Sequence, residues 1–129
     1  MGGLGERMDR LTHEVIGAAI DVHRVLGPGY LESVYEEALC IELGLRKIAF
    51  HRQHPIAISY KENPVGEARL DVLVDGSLIV ELKAVEVILP IHTAQIISYL
   101  KATGSQLGLI INFNTVVLKD GIKRVILSQ

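Results

Sequence analysis

The chain has 129 residues and a mass of 14.1 kDa, a length that suits one domain. Its hydrophobic fraction is 49% and its mean hydropathy +0.33, which excludes a disordered chain; with aromatics at 5% and no Trp, the core must be built from 17 Leu, 15 Ile and 13 Val. The net charge of −2 argues against a lone subunit gripping nucleic acid by bulk charge, and the single Cys excludes an internal disulfide, a Cys-based zinc site and an iron–sulfur cluster, as expected of a reducing, cytoplasmic protein.

The first residues, MGGLGERMDRLT, carry no apolar signal core, and no apolar run is long enough to span a membrane. Residues 1–8 read as a loose, Gly-rich N-terminus and residues 9–129 as one domain. A helix is expected from about Asp9 or Thr12 to Leu26, because Leu11, Val15, Ala18, Val22 and Val25 recur at helical spacing; Gly27-Pro28-Gly29 ends it. A second helix is expected from Leu31 to Leu43, with Gly44 as its cap.

The periodicity then changes. Ile48–Arg52 and Ile56–Tyr60 read as two short strands with Pro55 between them, Glu62-Asn63-Pro64 as a turn, and Val65–Val74 as a longer strand. Asp75-Gly76 marks a reversal into Leu78–Val85. Pro90 opens a third helix to about Thr103, with Gly104 after it. Leu107–Phe113 reads as a strand covered on both faces, and two further short strands flank Asp120-Gly121. The pattern predicts an α/β domain with a central mixed β-sheet flanked by helices.

Chemistry concentrates in two adjacent strands. Glu81 and Lys83 alternate with apolar residues in LIVELKAV and share a face, while Asp71 lies in GEARLDVLVD. Charges in a buried strand are costly unless paired or bound to a metal. A two-residue loop at Asp75-Gly76 would oppose Leu70 to Glu81. A three-residue loop, Asp75-Gly76-Ser77, opposes Asp71 to Glu81 and Val72 to Val80. Only the second separates charged from apolar positions, and it is the register expected. Two carboxylates are hard oxygen ligands suited to Mg²⁺ or Mn²⁺, which can lower the pKa of a bound water; a lysine beside them can orient that water or stabilise a pentavalent transition state. Together they suit phosphodiester hydrolysis.

Asp71 followed by Glu81-Leu82-Lys83 resembles the D…(D/E)-x-K signature of the PD-(D/E)xK nuclease superfamily. Gly29-Tyr30-Leu31-Glu32-Ser33-Val34-Tyr35 resembles the G-x-x-E-x-x-Y pattern of the GxxExxY family within it, and Gln95-Ile96-Ile97-Ser98-Tyr99 resembles the Q-x-x-x-Y motif that follows the core in exonuclease-like members. The superfamily's Pro before Asp is Leu70 here. The resemblance implies a restriction-endonuclease-like core and a Mg²⁺-dependent deoxyribonuclease in which Mn²⁺ can substitute. Asp71, Glu81, the Leu82 carbonyl and Glu32 would serve the metal, and Lys83 the water or phosphate. DNA is the expected partner rather than RNA, since nothing reads a 2′-hydroxyl. A homo-oligomer or protein partner would assist grip. The alternative is a catalytically silent binding module that retains the fold.

Other residues have plainer readings. Glu32 and Glu36 can form a solvated acidic face with Tyr35 at the core edge, and Gln95 with Tyr99 is equally an ordinary polar edge or a phosphate contact. Glu67 and Arg69 read as a cross-strand ion pair. Arg46, Lys47, His51 and Arg52 form a modest basic cluster, usually a solvated face, that can guide a phosphate backbone. The five His form no metal set, and Cys40 reads as a small core residue.

Overall fold

A computed structural model describes residues 3–127. Two helices come first, α1 (Gly3–Leu26) and α2 (Glu32–Leu45). They are followed by β1 (Phe50–Tyr60), β2 (Asn63–Val74) and β3 (Leu78–Lys83). Then come α3 (Pro90–Thr103), β4 (Leu107–Asn112), a 3₁₀ turn over Leu118–Gly121 and β5 (Ile122–Ile126). The five strands form one mixed sheet in the order β1-β2-β3-β4-β5; only β3 and β4 are parallel. Among the described residues no helix is long and apolar enough to cross a membrane.

Two apolar cores flank the sheet. One packs α1 and α2, through Val15, Ala18, Leu39 and Leu43, against Val72, Val80, Leu82, Leu109 and Ile111. The other packs α3, through Ile96 and Leu100, against Leu70, Leu73, Ile79 and Ile110. All six residues of β4 are buried, as expected of a strand covered on both faces. Gly108 permits the close seat of α3, since a Cβ there would stand 2.7 Å from Ile96 Cδ1.

Several boundaries depart from expectation. α1 begins at Gly3 and so overlaps the expected loose segment 1–8; residues 1 and 2 lie outside the described residues. The two short strands around Pro55 are one strand: Pro55 lies opposite Arg69 on the sheet's edge, where a missing N–H is tolerated. The reversal into β2 falls at Lys61-Glu62, both with positive φ, so β2 starts at Asn63. α2 runs through Gly44 to Leu45, and β3 ends at Lys83 rather than Val85. Near the C-terminus the first of the two expected strands is the 3₁₀ turn instead. α3 has the expected ends, with Gly104 at φ 78° and its N–H donating to Leu100 O.

The β2–β3 register is the one that the three-residue loop demands: Val72 pairs with Val80, Leu73 with Ile79 and Val74 with Leu78. The charged face is not otherwise polar, however. Leu73 and Ile79 sit in the α3-side core, and Leu70 joins them instead of sharing a face with Val72. The alternation breaks at Asp71. There the β1–β2 ladder skips a pair, running from Arg52↔Val72 to His54↔Leu70, and Gln53 has φ 52°.

The entry to α2 is held by Tyr35. Its hydroxyl donates to Gly27 O at 2.6 Å and accepts from the Tyr30 N–H at 3.1 Å, and its ring stacks on Phe113 at 4.5 Å between centroids. Tyr35 is wholly buried, not at the core's edge. It fastens the turn that delivers Glu32 to the first position of α2. Tyr35→Phe keeps the stack and leaves Gly27 O and the Tyr30 N–H without their partner. Urea unfolding should show a loss of about 1–2 kcal/mol; an unchanged midpoint would mean that the hydroxyl does not hold the turn.

Candidate active site

Where β2 and β3 stop exchanging backbone bonds, two carboxylates replace them. The Asp71 N–H donates to Glu81 Oε2 at 2.9 Å, and the Leu82 N–H donates to Asp71 Oδ2 at 2.8 Å. Each acidic side chain thus occupies an amide on the opposite strand, which fixes both rotamers and brings the two carboxylates side by side. Glu81 is 6% exposed. Its Oε1 has no hydrogen-bond donor among the described residues, which leaves a lone pair free for another ligand.

Helix α2 supplies two more carboxylates. Glu32 is exposed at the helix start, and its charge is felt together with those of Asp71, Lys83 and Glu36. Glu36, one turn on, is buried; it accepts from Arg52 Nε at 2.7 Å and from Gln53 Nε2 at 2.9 Å. Gln53 lies opposite Asp71, in the place that the β1–β2 ladder omits, and its amide draws the Asp71 carboxyl down. Helix α3 contributes Tyr99, half-buried and within electrostatic reach of Glu81 and Asp71, with the exposed Gln95 one turn earlier on the same helix.

Lys83 leaves β3 at the site, and its backbone is pinned. The Phe113 N–H donates to Lys83 O at 2.9 Å, and the buried Asn112 side chain accepts from the Val85 N–H at 3.0 Å and donates to Val85 O at 2.8 Å. The Asn112 amide therefore extends the β3–β4 pairing past the last strand residue.

The electrostatics are unfavourable by construction. Burial, then the Asp71 charge, pushes Glu81 up to about 8, against the lowering effects of the Asp71 N–H and Lys83. Burial also raises Asp71, against the opposing Leu82 N–H, and raises Glu32, with Asp71 adding to the shift. Tyr99 is raised by burial and by the charges of Glu81 and Asp71, so its phenol stays protonated. A buried pair of this kind calls for a proton or a cation. Its donors are hard oxygens, the set that suits Mg²⁺, which is usually held by one or two carboxylates plus waters. Among the described residues no three His, Cys, Asp or Glu groups converge on one point, so the protein alone offers an incomplete shell of that kind.

Sequence reasoning brought Asp71, Glu81, Leu82, Lys83, Glu32, Gln95 and Tyr99 to one region of the fold. It missed Gln53 and Asn112 and left Glu36 on a solvated face. Gln53 gave no signal, because its role depends on a backbone kink; Asn112 was legible only as a polar residue ending the apolar run LGLIINF. The two arginines of the basic cluster are paired: Arg46 with Glu14, Asp21 and Glu42, and Arg52 with Glu36 and Glu37. Arg69 donates to Gln53 O rather than pairing with Glu67. Two histidines are occupied as well, His23 with Thr115 O and His92 with the Leu89 N–H.

A sequence profile of the PD-(D/E)XK nuclease superfamily matches residues 9–125 of the chain. No curated protein and no solved structure matches it significantly.

The raised carboxylate values set a direction for stability. A folded-state pKa above the ordinary one means that the folded chain holds a proton which the unfolded chain has released, so stability present at low pH is lost as pH rises toward about 8. The metal-free protein should therefore melt at lower temperature at pH ~8.5 than at pH ~6, and Glu81→Gln should flatten that slope. Parallel slopes in the two proteins would exclude Glu81 as the source.

Proposed function

We propose, from the premise that the chain belongs to the PD-(D/E)XK nuclease superfamily, that it is a divalent-metal-dependent nuclease hydrolysing DNA phosphodiester bonds. The reading rests on one observation above the others: Asp71 and Glu81 exchange carboxylate–amide bonds across β2 and β3 with Lys83 two residues on. The motif Gly29 to Tyr35 further resembles the GxxExxY family, and its parts have separable uses here. Gly29, at φ 110°, allows the turn; Tyr35 ties the turn down; Glu32 projects from the helix it starts.

Asp71, Glu81 and the Leu82 carbonyl would hold Mg²⁺ or Mn²⁺, with Glu32 extending the site from α2. When bound, such an ion polarises a phosphoryl oxygen and makes its water more acidic. The chain's own residues do the remaining work. The Lys83 ammonium lowers the carboxyls of Glu32, Asp71 and Glu81 against their upward shifts. From there it orients the attacking water or donates to a phosphoryl oxygen as charge grows on it. Tyr99, kept protonated, offers an O–H donor at the opposite wall, and the exposed Gln95 offers an amide to a neighbouring phosphate.

The setting bears on the substrate. With Arg46 and Arg52 both paired to carboxylates, the surface beside the site lends little cationic grip. A second subunit or a protein partner would supply it. The lone Cys40 is buried and free, which suits a reducing cytoplasm.

Purified protein with Mg²⁺ or Mn²⁺ should cut at least one form among linear, nicked, branched and single-stranded DNA. Lys83→Met should lower the rate at least ~100-fold at a similar melting temperature. Full activity in Lys83→Met would place the cleavage elsewhere. Failure of the wild type on every DNA and RNA with both metals would leave a binding module that retains the fold.

A further inference from the structure

We infer that Gln53 is a positioning residue of this site, a clamp that sets Asp71 against helix α2. The inference deepens the nuclease reading and rests on it for the consequence to cleavage, while the structural role stands on geometry alone.

In a flat strand, neighbouring side chains point to opposite faces. Arg52 and Gln53 are neighbours in β1, yet both bond the same buried carboxylate: Arg52 Nε reaches Glu36 Oε2 at 2.7 Å and Gln53 Nε2 reaches Glu36 Oε1 at 2.9 Å. This is possible only because Gln53 leaves the strand conformation. Its φ is 52°, the ladder omits the pair that it would form with Asp71, and its freed carbonyl accepts from Arg69 Nη1 at 3.2 Å. A non-glycine residue holds the left-handed conformation where its surroundings over-determine it, and such places cluster at functional sites.

The kink has two results. It turns the Gln53 side chain to Glu36 on α2 at a point of β1 that lies opposite Asp71 on β2. It also breaks the alternation of β2 at Asp71, so that Leu70 and Val72 enter different cores and Asp71 sits between the two layers. Asp71 is thereby placed to accept from the Leu82 N–H and to face groups from both α2 and α3. Asp71 turns its N–H to β3, and the β1 ladder omits it. The Gln53 side chain, tied to Glu36, is the β1 group beside it.

Gln53→Gly tests the inference, because glycine accepts the same φ without strain and lacks only the clamp. The melting temperature should stay within a few degrees or rise. The Leu82 amide, which reports the bond to Asp71 Oδ2, should exchange with deuterium at least ~10-fold faster, while amides in the Val72–Val74 and Leu78–Val80 pairing keep their protection. Gln53→Asn, which also tolerates the conformation but is one methylene short, should behave alike. Cleavage should fall ~10-fold or more in both variants. Unchanged exchange at Leu82, a uniform acceleration at all amides, or failure of Gln53→Gly to fold would each overturn the clamp. A wild type that cuts nothing removes the nuclease reading and leaves the exchange result to decide on Gln53.

Discussion

The site depends on one exchange of hydrogen bonds, the Asp71 N–H to Glu81 and the Leu82 N–H to Asp71. The two strands run antiparallel with ordinary pairing up to Val72 and Val80 and then hand the ladder over to their own acidic side chains. A buried carboxylate is tolerable when donors meet it and expensive when they do not. Each carboxylate here receives one strand amide, enough to fix its direction but not to neutralise it. The result is a rigid, oriented pair of carboxyl groups with oxygen lone pairs left over.

The surrounding fold keeps that pair from relaxing. Tyr35 pins the start of α2, Asn112 carries the β3–β4 pairing past Lys83, and the Gly108 contact seats α3 with Tyr99 over the other wall. None of these groups needs to touch a substrate. They hold acidic groups near one another in a setting where burial and mutual repulsion push their carboxyls up. Lys83 offsets part of the charge, yet Glu81 still lies far above the usual carboxylate range. On the proposed reading, a bound divalent ion would relieve a cost that the fold has already incurred.

Much of this was legible in the sequence, for identifiable reasons. The β2–β3 register followed from hairpin arithmetic that set Asp71 against Glu81 and Val72 against Val80, although the face of the charges proved otherwise apolar. The ends of α3 followed from Pro90 and Gly104, whose backbone preferences are local. Pro55 misled because a proline reads as a break, although on an edge strand it interrupts nothing. The clamp at Gln53 was out of reach for a different reason. Glutamine has no signature for a positive φ, and the kink arises from partners sixteen and seventeen residues away on α2 and β2, visible only after folding. Likewise Arg52 looked free because its partners Glu36 and Glu37 lie far back in the chain, as do Glu14 and Asp21 for Arg46, whose third partner Glu42 is one helical turn away.

The central claim is that Asp71 and Glu81 form a site awaiting a divalent cation. Calorimetric titration of the purified chain with Mn²⁺ near pH 7, run in two buffers of different ionisation enthalpy, tests it without reference to substrate. Binding should occur and release protons, because Glu81, held at about 8, gives one up to admit the ion; Asp71→Ala should abolish both. Absence of binding, or binding that survives Asp71→Ala, would contradict the account.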